Sequence, residues 1–279
     1  MAMKAILVPV EDHEGAQSVL ASALVFAGRC GSYLEAVSTL PVIDNYIVGE
    51  MVPLWPPNQR SAGDTSREAQ EAFRRAMEAA GLPRREHATP GQASWGLREQ
   101  PLMGDSAVAA HARVFDLTVV GRPSGSAAGP RLSLLEAVVF ESGRPILIAP
   151  PVAPVAMGDS IMIAWNCSTE TARATALAMP LLAQARRVRV LTAEGGTVPG
   201  PSGEELVRSL GLNGIVADAV TVAGRGRSTG EVILDQAAAW GADLVIKGAY
   251  TQSRLRQMIF GGATSHLLSH AEVPVFMAH

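Results

Sequence analysis

Two stretches of the chain decide the fold: Asp116-Leu-Thr-Val-Val-Gly121 near the middle and Asp243-Leu-Val-Ile-Lys-Gly248 near the end. Each is an apolar run that begins at an aspartate and ends at a glycine, and the offset between them is 127 residues (243 − 116). Each is followed by a helical pattern and then by a short strand pattern led by proline, at 145–149 and at 274–278. Apolar runs of this length are typical of strands buried on both faces of a sheet. The chain therefore contains one structural unit twice.

The two units also open alike, because Ile6-Leu-Val-Pro-Val-Glu11 matches Ile161-Met-Ile-Ala-Trp-Asn166 at an offset of 155 (161 − 6). The first unit is therefore longer than the second by 28 residues (155 − 127). Most of the surplus falls between residues 41 and 64, where prolines and glycines are frequent. Since these residues interrupt helices and strands, we predict an insertion loop there.

A proline-rich spacer separates the units. Prolines at 150, 151 and 154 block helix formation and sheet pairing, so we place one domain at residues 1–152 and the other at 158–279. Within each domain, short apolar runs alternate with longer helical patterns, which predicts parallel strands joined by crossover helices. The predicted fold is α/β: two tandem doubly wound domains, each with a five-stranded, mainly parallel sheet. Such sheets bind ligands at the carboxyl ends of their strands.

Composition narrows the classes of function. Of the 279 residues, 48% are hydrophobic and the net charge is −3, with no run of five like charges, so we expect no nucleic-acid partner. Cys30 and Cys167 lack zinc-ligand spacing, and we expect free thiols in a reducing compartment, the cytoplasm. The opening apolar run is too short for a signal peptide, and prolines interrupt the apolar stretch at 145–157, so we expect no membrane association.

The segment from Gly248 to Thr264 carries the clearest functional signal. It begins where a predicted strand ends and reaches paired glycines, Gly261 and Gly262, at the start of a helix. Glycines let a backbone approach an anion closely, and the free N–H groups of a helix start point toward it. The alternative is structural: Gly248 ends a strand and the paired glycines separate two helices. The residues alone leave both interpretations open.

The order strand, Gly-x-x-Gly-x9-Gly-Ser, helix and proline-led strand resembles that of universal stress proteins, whose fold is of the adenine nucleotide alpha hydrolase-like type. The chain resembles a tandem member, with the closest agreement in its second half. The resemblance implies a stress-response regulator that binds ATP or another adenine nucleotide, with Mg²⁺, in the C-terminal domain, without fast catalysis. It also implies a pseudo-dimer within the chain and possible homodimers.

The resemblance carries over to individual residues of the second half. Gly248 and Gly261 match the first and third glycines of the motif, and Thr251 takes the place of the second. Gly262 stands where the family has Ser or Thr, with Thr264 as a substitute hydroxyl, and Asn166 falls on the aspartate that contacts the nucleoside. The implied nucleotide-binding set is Ala164, Asn166, Ala193, Gly248, Thr251, Gly261, Gly262, Ala263 and Thr264.

The first half departs further from the family pattern. Glu11 takes the aspartate position and Gly121 matches the first glycine, but leucines at 132, 134 and 135 stand where the paired glycines should be. We predict that these leucines fill the phosphate space. The first half is therefore expected to act as a scaffold or dimerisation partner without nucleotide.

Other interpretations of the sequence remain open. If both sites are degenerate, the protein is an interaction module whose function is dimer formation. The string Gly226-Arg-Ser228-Thr-Gly230 fits a serine-hydrolase elbow, with Asp235 or Asp243 and His266 or His270 as partners, although a helix cap explains it as well. His266 and His270 have the spacing of metal ligands but lack a further ligand, and Arg254 and Arg256 could approach a phosphate. We expect no metal site and no catalytic residue.

Overall fold

The computed structural model describes residues 3–40, 62–124, 126, 128–249 and 262–279. The strands of the first half are β1 (Ala5–Val10), β2 (Tyr33–Leu40), β3 (Ser94–Leu97), β4 (Leu102–Met103), β5 (Leu117–Gly121) and β6 (Ile146–Ala149). Its helices are α1 (Ala16–Cys30), α2 (Ala62–Ala79), α3 (Asp105–Ala112) and α4 (Leu132–Glu141), with a 3-10 turn at Arg85–His87. Strands and helices alternate, as predicted.

The second half repeats this order with shorter connections. Its strands are β7 (Ser160–Ala164), β8 (Arg187–Ala193), β9 (Ala217–Val222), β10 (Leu244–Gly248) and β11 (Val275–Ala278). Its helices are α5 (Thr169–Leu177), α6 (Met179–Leu182), α7 (Gly203–Leu212), α8 (Thr229–Trp240) and α9 (Gly262–His270). The helical segment after β7 is divided into α5 and α6 because Pro180 lies in the first turn of α6, a position that proline tolerates.

All of these strands belong to one sheet, whose order is β3-β2-β1-β5-β6-β11-β10-β7-β8-β9, with β4 paired to β2. Within each half the pairs are parallel, and β6 meets β11 in an antiparallel pair that joins the halves. The predicted α/β class and mainly parallel sheets are confirmed. The short strand β4 is an addition to the five predicted strands of the first half.

Helices cover both faces of the sheet. One face packs against α1, α2, α5, α6 and α7, with Phe26, Phe73 and Leu181 buried in that layer. The opposite face packs against α3, α4, α8 and α9, with Val108, Leu135 and Leu267 buried. Aliphatic side chains supply most of both layers, as the low aromatic content indicates. This two-sided cover leaves the strand ends as the natural place for a ligand.

Equivalent aspartates in the two halves accept hydrogen bonds from the backbone at the starts of β1 and β7. Asp116 accepts hydrogen bonds from the backbone N–H groups of Lys4 and Ala5. Asp243, 127 residues later, accepts them from Gly158, Asp159 and Ser160. The repeated motif therefore performs the same structural task twice, since each carboxylate satisfies amide groups beside a buried strand.

Contacts of α1 with the second half join the halves next to the proline-rich spacer. The guanidinium of Arg29 on α1 donates to the Asp159 carboxylate at 2.7 Å and to the carbonyls of Gly158 and Gln184 at 2.8 and 2.9 Å. The domain limits 1–152 and 158–279 stay predictions. The insertion predicted over 41–64 lies largely outside the described residues, and α2 begins at Ala62.

Candidate functional site

The sheet order brings several of the predicted site residues to one edge. Strand β7 lies between β10 and β8, and all three run parallel, so Gly248, Ala164 and Ala193 all lie at carboxyl ends. Asn166 follows β7 directly, and α9 begins at Gly262, followed by Ala263 and Thr264. Thr251 and Gly261, like Arg254 and Arg256, lie outside the described residues.

Gly248 is required for close packing of a helix. A Cβ at this position would collide with the backbone nitrogen of Thr171 and lie 2.7 Å from the carbonyl carbon of Glu170. Both atoms belong to the first turn of α5, which begins after the N-cap Ser168. The glycine therefore allows α5 to approach β10, and the structural interpretation of Gly248 accounts for its presence here.

Asn166 makes contacts both within the turn between β7 and α5 and with the loop after β8. Its side-chain Oδ1 accepts a hydrogen bond of 2.6 Å from the hydroxyl of Thr171, and its carbonyl accepts one of 3.0 Å from the N–H of Val198. Cys167 follows with a φ of 66°, a left-handed conformation that reverses the chain into the helix. Asn166 thus stabilises the β7–α5 turn through its side chain and connects that turn to the loop after β8 through its backbone carbonyl.

Lys247 is a further residue of this edge and was not among the predicted site residues. This lysine lies in the apolar run of β10, is only 5% exposed, and donates from Nζ to the carbonyl of Gly248 at 2.9 Å and to the hydroxyl of Thr264 at 3.3 Å. Burial lowers its pKa to about 8, and the Glu170 carboxylate opposes that shift. A charged residue inside a buried strand was the signal that could have identified it.

The start of α9 combines with Lys247 to form a small electropositive region. Gly262 and Ala263 open the helix without bulky side chains, and free backbone N–H groups at such a start favour an anion. The negative charge of the Glu170 carboxylate opposes this positive charge. Burial disfavours its charged form, but hydrogen bonds at the start of α5 outweigh burial and hold its pKa below the ordinary value. The described residues thus fit a phosphate at α9 and restrict the space beside Gly248.

A comparison with protein families finds a match in the second half of the chain. A model of the Universal stress protein family matches residues 158–279. A search of curated proteins found no match. Among solved structures, a universal stress protein from Archaeoglobus fulgidus DSM 4304 superimposes with a TM-score of 0.73 at 16% identity, over 99% of this chain and 96% of that one.

Two further structures share the fold. A candidate universal stress protein from Pseudomonas aeruginosa UCBPP-PA14 has a TM-score of 0.55 at 15% identity, over 99% of this chain and 93% of that one. A protein of unknown function from Pseudomonas aeruginosa PAO1 has a TM-score of 0.53 at 14% identity, over 99% and 92%. At these identities the likeness establishes the fold alone. The family's nucleotide chemistry is a separate question for this chain.

In the first half, Gly121 is the glycine that the sequence comparison aligned with Gly248, and its surroundings are crowded. A Cβ on Gly121 would collide with the ring of Pro130 and lie 3.3 Å from the imidazole of His13. Of the three leucines predicted to fill this space, Leu134 and Leu135 are buried on α4 in the core layer, and Leu132, at the start of α4, is half-buried. Pro130 and His13 crowd Gly121 instead.

The serine-hydrolase alternative is not supported by the geometry. Ser228 is the N-cap of α8, and its hydroxyl accepts from the N–H of Glu231 at 3.2 Å in a capping box. Asp235 forms an ion pair with Arg227, and the Asp243 carboxylate accepts hydrogen bonds from backbone N–H groups at the start of β7. Within the described ranges, no histidine nitrogen contacts the Ser228 hydroxyl. The string is a helix cap, which was the structural interpretation of that segment.

His266 and His270 stack on each other, with ring centroids 4.2 Å apart, and His270 Nδ1 lies 3.1 Å from the carbonyl of His266. In the part of the chain that the structure describes, no group of three metal-ligating side chains occurs. Over the same residues, no helix combines the length and the apolar character that a membrane crossing requires.

Proposed function

We propose that the second half binds an adenine nucleotide with Mg²⁺ and that the protein acts in the cytoplasm as a stress-response regulator without fast turnover. The nucleoside would lie near Asn166, Ala164 and Ala193, and the phosphates near the start of α9. The family match over residues 158–279 supports this assignment, because those residues include every strand end at the proposed site.

One observation carries the proposal: Lys247 places a buried ammonium group 3.3 Å from Thr264, in the first turn of α9. The partial positive charge of a helix start and a nearby cation act in the same direction on a phosphate. Gly262 and Ala263 themselves add no large side chain to that helix start.

The residues at this edge of the sheet favour nucleotide binding over nucleotide hydrolysis. Hydrolysis of a phosphoanhydride needs a group that orients and deprotonates water, and an efficient base has a pKa near the working pH. The hydrogen bonds at the start of α5 hold the pKa of Glu170 below its ordinary value, which makes this carboxylate a weak base. We therefore expect a bound nucleotide to persist and to act as a signal.

A second candidate function is an interaction module without nucleotide. Two contacts favour it: α5 crowds Gly248, and Thr171 occupies the side-chain oxygen of Asn166. The continuous sheet through β6 and β11 already gives a pseudo-dimer within one chain. Homodimer formation would then be the remaining activity.

A pair of variants at one position separates these functions. Ala263→Asp adds a negative charge at the start of α9, which favours the helix but repels phosphate, whereas Ala263→Asn adds similar volume without charge. With Mg-ATP, we expect a thermal shift in the wild type and in Ala263→Asn and none in Ala263→Asp. The absence of a shift in all three proteins would favour the interaction module.

A further inference from the structure

The sheet ends at two strands, β3 in the first half and β9 in the second. The outer edge of β3 is covered, because the N–H of Trp95 donates to the carbonyl of Pro83 at 3.1 Å and its indole Nε1 donates to the carbonyl of Leu82 at 3.0 Å. Among the described residues, β9 pairs with β8 alone. An uncovered edge strand presents backbone groups that can pair with another strand. The open end of the sheet is therefore β9.

The ladder with β8 determines which backbone groups of β9 point outward. The carbonyl of Val222 accepts a hydrogen bond of 2.9 Å from the N–H of Glu194, so the backbone groups of Val222 point toward β8. Those of successive residues point to alternate sides of a strand. The outward set is therefore Ala217, Ala219 and Thr221. In the part of the chain that the structure describes, no other backbone group bonds to these N–H and C=O groups.

The sequence of β9 lacks the usual protection of an edge. Exposed edge strands commonly carry lysine, proline or a bulge. Strand β9 reads Ala-Asp-Ala-Val-Thr-Val and contains neither lysine nor proline. Its single charged residue, Asp218, forms an ion pair of 2.7 Å with Arg189 of β8, which reduces its repulsion of a second strand. Leu212 and Val216, which precede β9, are 90% and 91% exposed and add apolar surface beside the edge.

A second copy of β9 is complementary to this edge. Antiparallel strands exchange hydrogen bonds between residues whose backbone groups face each other. With a two-fold axis at Val220, Ala219 lies opposite Thr221 of the second copy, so outward groups meet outward groups. The two Asp218 carboxylates are then four residues apart along the strands, about 14 Å. An axis at Ala219 would instead bring them to diagonal positions about 7 to 8 Å apart.

The chain already joins two sheets in this way. Residues 146–148 of β6 pair antiparallel with residues 275–277 of β11, and this contact makes one sheet of the two halves. With the axis at Val220, β9 would contribute a longer stretch, residues 218–222. A contact that uses the same surface in both copies closes at two chains and does not continue as a fibre.

We propose that β9 pairs with β9 of a second copy of this chain, antiparallel about a two-fold axis at Val220, so that the two sheets become one. The inference goes beyond the proposed nucleotide function, because that site lies at β10, β7 and α9 and the β9 edge needs no nucleotide to pair. It also names the surface that homodimer formation would use.

The oligomeric state of the intact protein is the first test. Sedimentation velocity over a range of concentrations should show a species of two chains, both without nucleotide and with saturating Mg-ATP. A monomer at every concentration up to about 1 mM, or assembly beyond two chains, would overturn the proposal. A dimer of a protein that fails to bind Mg-ATP would support the pairing and would count only against the nucleotide proposal.

Charge variants at the two-fold axis test the surface. Val220 would lie in a non-hydrogen-bonded pair, where opposing side chains are closest. Val220→Lys and Val220→Glu each place like charges opposite each other, and we expect both to be monomeric where the wild type is dimeric. Val220→Thr keeps the branched shape without charge and should stay dimeric. An equimolar mixture of Val220→Lys and Val220→Glu should restore the dimer, since opposite charges then meet. A dimer that persists in both charge variants, or a mixture that stays monomeric, would refute the pairing.

Amide exchange tests the backbone contact within a single strand. In the wild-type dimer the N–H groups of Ala219 and Thr221 should be protected, and in Val220→Lys they should exchange rapidly. The N–H of Val222 points toward β8 and is the control, because it should stay protected in both proteins. Ala219→Pro removes one outward donor, leaves the β8 ladder intact and should give a folded monomer. Equal exchange of Ala219 in wild type and Val220→Lys, or a dimer of Ala219→Pro, would contradict the proposed contact.

Discussion

Lys247 Nζ lies 3.3 Å from the Thr264 hydroxyl, and this contact joins β10 to the first turn of α9. The lysine is buried, and its neighbours are mainly neutral acceptors, so the protein keeps a cation that an apolar residue could replace at lower cost. A buried charge of this kind often serves a ligand. Both its titration and its role in binding can be measured.

The first prediction concerns stability against pH. The pKa of Lys247 is about 8 in the folded chain, against the ordinary value of 10.5 for a lysine side chain. Between these pH values the unfolded chain binds more protons, so wild-type stability should rise with pH from this group. Lys247→Met removes that contribution, and we expect it to be more stable than wild type near pH 7, with a gain that shrinks from pH 8 to 10.5.

The titration itself can be followed directly, because the chain contains two lysines, Lys4 and Lys247. Selective lysine labelling then gives two side-chain signals, and Lys4→Met identifies the second. We expect the Lys247 signal to titrate with a midpoint near pH 8. A midpoint above pH 10 would show that the ammonium group is not desolvated.

A second prediction concerns Gly248. Gly248→Ala forces the first turn of α5 away from β10, because the new methyl group would meet the backbone of Glu170 and Thr171. We expect a loss of about 1 to 3 kcal/mol in the free energy of unfolding, measured with urea. Gly28→Ala is the control: it lies within α1, with open space around its Cβ, and should be neutral or slightly stabilising.

The repeated aspartates give a third prediction. Asp243 accepts from three backbone N–H groups and Asp116 from two. Asp243→Ala should therefore cost more stability than Asp116→Ala, each by about 1 to 3 kcal/mol, because backbone N–H groups, most of them part-buried, lose their acceptor. Chemical denaturation of both variants checks the order. The reverse order, or no loss in either, would contradict the equivalence of the two motifs.

A fourth prediction concerns Ser228. Since its hydroxyl caps α8, Ser228→Ala should lower stability by about 1 kcal/mol. It should leave any background ester hydrolysis unchanged, which a chromogenic ester assay can measure. Loss of ester turnover in a variant that remains folded would revive the hydrolase alternative.

The repeat in the sequence was enough to predict most of the fold. The offsets of 127 and 155 residues recur between β5 and β10 and between β1 and β7, because buried parallel strands require apolar runs that are easy to recognise. The antiparallel contact between β6 and β11 could not be predicted, since edge pairing depends on which strand ends are left uncovered by the rest of the fold.

The site was harder to predict than the fold. The sequence gives residue types at strand ends, and these indicated Asn166 and Gly248 as ligand contacts. It does not show that Thr171 bonds to Asn166 or that α5 approaches Gly248, because both depend on how closely a helix packs against the sheet. Lys247 lies within an apolar run, and that pattern predicted a buried strand without indicating a role for the lysine.

The central claim is that the second half alone binds an adenine nucleotide, and calorimetric titration of the intact protein with Mg-ATP tests it most directly. We expect saturable binding with one nucleotide per chain, lost in Ala263→Asp and retained in Glu11→Gln. Absence of heat at saturating nucleotide, or a stoichiometry of two per chain, would contradict the account.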